Sequence, residues 1–133
     1  RIRGEISAEK AAREYEKELR RLLGAGGGLD LLLLGLGEDG HTASLFTGSA
    51  ALDERSAWAA AVRAPDGRKR VTLTLPFINL CSRVIVLACG PDKREIVRQA
   101  LRSASHAFPI QMVKPRRPPS WIVDSQAAGV GKP

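Results

Sequence analysis

Long apolar runs, cysteine and aromatic side chains are all scarce in this sequence of 133 residues. No apolar run approaches the roughly 18–20 residues that a membrane helix needs, and Arg1-Ile2-Arg3 leads into no hydrophobic signal region. Neither a membrane span nor a secretion signal is visible. The two cysteines, Cys81 and Cys89, fit neither a disulfide framework nor a zinc-ligand spacing. Each is expected to be a buried thiol, no metal is expected, and a reducing, cytoplasmic compartment is favoured. Aromatics make up 5% of the chain, and only Trp121 lies near the basic residues Lys114, Arg116 and Arg117. No RNA- or DNA-binding motif accompanies them, so nucleic acid is not the expected partner.

Hydrophobic residues at 44% and charged residues at 26% form the mixture of an ordinary globular domain, far from the composition of disordered chains. The length suits one domain or part of a larger one. The net charge of +7 is uneven: residues 1–62 hold 8 Lys/Arg against 10 Asp/Glu, and residues 63–133 hold 13 against 4. Such a surplus suits an anionic partner, and charge alone does not separate nucleic acid from a phosphorylated small molecule.

Ser7 reads as a helix N-cap with Glu9 in the first turn, and Ala8, Ala11, Ala12, Tyr15, Leu19, Leu22 and Leu23 recur at helical spacing. The helix stops at Gly24-Ala25-Gly26-Gly27-Gly28. The run Leu29–Leu34 then reads as a strand buried on both faces, of the kind found in parallel sheets. Trp58–Val62, Val71–Leu75, Val84–Ala88 and Trp121–Val123 are further strand candidates, and Asp92–Leu101 is a second helix. The alternation predicts an α/β fold of Rossmann-like type, a mainly parallel sheet flanked by helices in three layers.

The segment after the first strand carries the chemistry: Gly35-Leu-Gly37-Glu38-Asp39-Gly40-His41-Thr42-Ala43-Ser44-Leu45-Phe46. Ligands of open α/β sheets bind at the carboxyl ends of strands, which is where this loop departs. Thr42 or Ser44 is placed to cap a helix through Leu45, whose N-terminus would face the site. Gly35, Gly37 and Gly40 match G-x-G-x-x-G, which alone is weak evidence for a dinucleotide site. The acidic residue such a site expects about 20 positions on is replaced by Arg63 after Val62, suited at best to a 2′-phosphate. His41 can accept a proton near neutral pH, and Asp39 can orient it or form a turn before Gly40.

Read as a string, Leu31–Phe46 closely resembles the signature loop of the 6-phosphogluconolactonase family. The resemblance extends to Arg1-Ile-Arg-Gly-Glu5 with its following helix, to Arg70-Val-Thr-Leu-Thr-Leu-Pro76 with Ile78-Asn79, to Gly90-Pro-Asp-Lys93, and to Trp121-Ile-Val-Asp124 with Ala127-Ala128. The sister family of glucosamine-6-phosphate deaminases has a related loop but an acid-bearing continuation where this chain has Ser44-Leu45-Phe46.

The resemblance implies metal-free and cofactor-free hydrolysis of 6-phosphoglucono-1,5-lactone to 6-phosphogluconate, a step of the oxidative pentose phosphate pathway. His41 is then the general base and Asp39 its partner. Gly37 and Gly40, through the loop's N–H groups, are candidate donors to the oxyanion or the phosphate. Arg70 is the preferred phosphate ligand and Lys93 the second. Thr47 stands where family members carry proline, which is expected to loosen the loop. Nothing matches the family's N-terminal half, with its glycine-rich phosphate loop and first strands, so residues 1–133 are expected to be the C-terminal portion of a single domain, with a missing half or fused domain as partner. A non-enzymatic sugar-phosphate-binding or subunit-interaction role is the alternative.

Overall fold

The computed structural model describes residues 1–24, 26–102 and 107–130. Helix α1 (Ala8–Leu23) is capped by Ser7, whose hydroxyl accepts the Lys10 N–H at 3.3 Å, and it ends where the Gly24 N–H reaches Arg20 O. Ala25, within the expected glycine-rich stop, lies outside the described residues. Next come β1 (Leu32–Gly35), β2 (Ala59–Arg63), β3 (Lys69–Leu73) and α2 (Leu75–Leu80). The chain closes with β4 (Val84–Ala88), α3 (Arg94–Arg102), β5 (Ser120–Val123) and α4 (Ser125–Ala128).

Strands β1, β4 and β5 form a parallel sheet in that spatial order, with Leu34 opposite Val86 and Val86 opposite Trp121. The expected α/β class with a parallel sheet and flanking helices is what the chain forms. Strands β2 and β3, however, pair with each other as a separate antiparallel hairpin, Ala61 opposite Val71. The Asp66-Gly67 turn between them closes the hairpin locally, as the Ala64 N–H bond to Arg68 O and the Gly67 N–H bond to Ala64 O show.

Burial of β1 on both faces is not observed. Leu32 and Leu34 enter the core, whereas Leu31 and Leu33 are about half exposed, at 49% and 56%. Successive strand residues point to opposite faces, and the described residues cover only one of them. Leu33, Leu87 and Ile122 share the bare face.

The other face carries Leu32, Leu34, Val84 and Val86 into one continuous core with Leu45, Trp58, Phe77, Ile78, Ile96 and Ile110. The second cysteine departs from expectation too. Cys81 is buried, its thiol pushed up by desolvation, but Cys89 is exposed because it follows the last residue of β4 in the turn to Gly90. Among the described residues no helix is long and apolar enough to cross a membrane.

Candidate active site

The loop between β1 and the hairpin is a series of tight turns. The Gly37 N–H donates to His41 O at 2.8 Å, and the Gly40 N–H to Gly37 O at 3.0 Å. These two amides are therefore used inside the loop. The donors expected of Gly37 and Gly40 as candidate substrate-binding residues are occupied, and the room left by their missing side chains is filled by His41, Asp39 and Phe108. A Cβ on Gly37 would lie 2.1 Å from His41 Nδ1, and one on Gly40, which has φ +80°, would meet Phe108 at 2.6 Å.

No helix begins at Thr42 or Ser44, contrary to expectation. The Thr42 hydroxyl, fully buried, donates to Gly35 O at 2.8 Å, and the Ser44 N–H is taken by Thr72 Oγ1 at 3.0 Å. Those groups tie the loop to the end of β1 and to β3 instead of capping a helix. Without a helix N-terminus here, the dinucleotide reading loses the feature that would hold a pyrophosphate.

His41 and Asp39 do meet. His41 Nδ1 lies 2.5 Å from Asp39 Oδ1, and the same oxygen accepts the His41 backbone N–H at 3.2 Å. Burial raises the Asp39 carboxyl, but the ring and backbone hydrogen bonds from His41 and its charge outweigh this, leaving it below its ordinary value. An ionised Asp39 fixes the proton of His41 on Nδ1 and leaves Nε2 with the lone pair, the form a general base needs. The imidazole side chain is 29% exposed, enough to reach solvent.

Phe46, buried at 7% exposure, packs its ring against that imidazole. Beyond Phe46 stands Arg70, its guanidinium 5.8 Å from the ring centroid and paired with Asp66 at 2.8 Å. Lys93 approaches from the turn after β4, with Nζ 3.7 Å from Glu38 of the loop. Its turn is held by Asp124, whose carboxylate accepts the Gly90 N–H. His41, Asp39, Arg70 and Lys93 thus all border one loop.

The part that sequence reasoning missed is the scaffold of Thr42, Phe46 and Thr72. Its one signal was Thr72, a polar residue on the inward phase of the Val71–Leu75 alternation. Among the described residues no cluster of His, Cys, Asp and Glu is arranged to hold a metal.

A family profile described as glucosamine-6-phosphate isomerases/6-phosphogluconolactonase matches residues 1–122. The chain belongs to this family. Within the family it is 38% identical to the 6-phosphogluconolactonase of Rattus norvegicus over 92% of its own length and 50% of that protein's. It is 36% identical to the 6-phosphogluconolactonase of a Nostoc species, over 88% of this chain and 51% of the relative. Among solved structures, the 6-phosphogluconolactonase of Trypanosoma cruzi superposes with a TM-score of 0.79 at 31% identity, over 96% of this chain and 54% of that one. The chain spans about half the length of the family members it matches.

Proposed function

We propose that this chain carries the catalytic loop of a 6-phosphogluconolactonase, hydrolysing 6-phosphoglucono-1,5-lactone to 6-phosphogluconate without metal or cofactor. The observation that carries the reading is the Asp39–His41 pair at the carboxyl end of β1, at 2.5 Å and with the ring open to solvent. Its relatives bear that name, and the loop's continuation supports the lactonase over the deaminase. Buried Leu45 and Phe46 follow His41, and residues 42–48 contain no acidic side chain.

In the proposed reaction His41 Nε2 takes a proton from water as its oxygen attacks the lactone carbonyl. The tetrahedral intermediate then collapses with cleavage of the bond to the ring oxygen, which receives the proton back from the imidazolium. Asp39 holds the ring and stabilises its cationic form. Arg70 and Lys93 supply positive charge for the 6-phosphate, Arg70 by bidentate contact once a dianion competes with Asp66.

The test is turnover of freshly generated lactone by the natural protein, with spontaneous hydrolysis subtracted, compared with His41→Ala. Loss of a positioned base costs about 10²–10⁴-fold in rate. Activity of the variant within about threefold of the parent would make His41 structural and overturn the reading.

A further inference from the structure

The basic surplus of the second half of the chain is not spent at the His41 loop alone. Lys69, Arg70, Lys93 and Arg98 are each paired with a carboxylate. Arg116 and Arg117, in the Lys114–Pro119 segment, lie elsewhere: they precede β5, at the amino ends of the parallel strands. The His41 loop leaves from the carboxyl end of β1. Strands of four or five residues put roughly 13–17 Å between the two ends.

At the amino ends, Arg116 and Arg117 meet Arg83, the residue before β4, around a cavity of about 620 Å³. Arg83 and Arg117 also line an adjoining cavity of about 280 Å³. None of the three guanidiniums has an ion pair or side-chain hydrogen bond among the described residues, and Asp30 is the one carboxylate on the lining. Three cations against one anion leave a local charge of +2.

The backbone that carries these arginines is stiff. Pro115 precedes the pair and Pro118-Pro119 follow it, which fixes φ at three positions. The Lys114 N–H is anchored to Asn79 Oδ1 at 2.7 Å, and Arg83 O accepts the Leu32 N–H at 2.9 Å. The backbone carrying the three arginines at the cavity is thus held in place, which lowers the entropy lost when an anion is gripped.

We propose that this cavity is a second anion site, separate from the His41 loop, which takes a small molecule bearing at least two phosphate or carboxylate groups. Its volume lies in the range of small-ligand sites. Among the described residues its lining holds no aromatic side chain on which a base would stack, which favours a compact anion over a single-stranded nucleic acid.

The probes are inorganic pyrophosphate and citrate, titrated calorimetrically into the natural protein at constant ionic strength, one reporting phosphate and the other carboxylate recognition. Saturable one-to-one binding of either is expected, weakened about tenfold or more in the double variant R116A/R117A and about threefold in R83A, but retained in K93A. The variant R116K/R117K, which keeps charge and loses the planar fork, should fall between. Should R116A/R117A not fold, as judged by its thermal melt, R83A and R116K/R117K decide the question. Unchanged affinity in the arginine variants, or loss of binding in K93A alone, overturns the proposal. So does binding of an oligonucleotide with no saturable binding of either small anion.

Discussion

The ring of Phe46 lies against the imidazole of His41, with centroids 4.6 Å apart and planes tilted by 43°. That contact closes one side of the imidazole with a buried hydrocarbon wall, while Asp39 holds Nδ1. Rotation of the ring about its own axis is thereby opposed by two independent contacts, one apolar and one a hydrogen bond to a carboxylate. The arrangement also fixes where Arg70 stands, since its guanidinium lies over the same Phe46 ring.

Asp39→Asn keeps the size of the side chain but offers an amide N–H to Nδ1, which favours the tautomer with its proton on Nε2. Turnover of the lactone should fall by about 10²-fold or more, as when the orienting carboxylate of other histidine sites is removed, with KM changed far less. Steady-state kinetics with separate kcat and KM would show this. A matched rise in KM at constant kcat would assign Asp39 to binding.

Arg70→Ala should raise KM for the phosphorylated lactone by roughly tenfold, with little effect on an unphosphorylated gluconolactone. Lysine at this position should rescue only partly, because it lacks the fork. Equal effects on the two substrates would place Arg70 away from the phosphate.

Gly37→Ala separates the His41 loop from the fold. Its Cβ would sit 2.1 Å from His41 Nδ1 and 2.6 Å from Asp39 Oδ1, so the pair must be displaced. Gly37 is half-buried and the atoms nearest to that Cβ belong to the loop's own His41 and Asp39, so the melting temperature should move by no more than a few degrees. Activity should fall at least tenfold. A fully active Gly37→Ala protein would show that the Asp39–His41 geometry is not needed.

Glu54 provides a test by pH. The N–H groups of Ala57, Ser56 and Arg55 converge on its carboxylate at 3.0, 2.8 and 2.8 Å, and hold it down to about 2 from an ordinary 4.5. A depressed carboxyl contributes stability above the unfolded value and loses it as the pH falls through the folded one. Glu54→Gln should therefore be less stable than the parent at neutral pH, and the difference should close between about pH 4.5 and pH 2. Urea unfolding across that range measures it.

Elements defined by short-range pattern were legible in the sequence. Ser7 and the apolar stripe marked α1, and Val84–Ala88 marked β4 without error at either end. The Asp39–His41 pair was readable because two residues of separation place the side chains together in a turn. What failed depended on distant partners. Nothing local reveals that, among the described residues, Ala59–Arg63 pairs only with Lys69–Leu73 and Leu33 lacks cover. The Val71–Leu75 alternation runs one residue into helix α2, whose start is signalled by Pro76 in its first turn. Thr42 was misassigned because its hydroxyl found Gly35 O, a partner seven residues back, before any capping role arose.

Thr72 has a consequence for motion. Its hydroxyl accepts the Ser44 N–H while donating to Leu73 O, so a loop amide is shielded by a side chain that belongs to the hairpin. Solvent reaches that amide when β3 moves away from the loop. In native-state hydrogen exchange, Ser44 should then follow the amides of β2 and β3 and not those of the parallel sheet, which makes the His41 loop and the hairpin a single cooperative unit of opening.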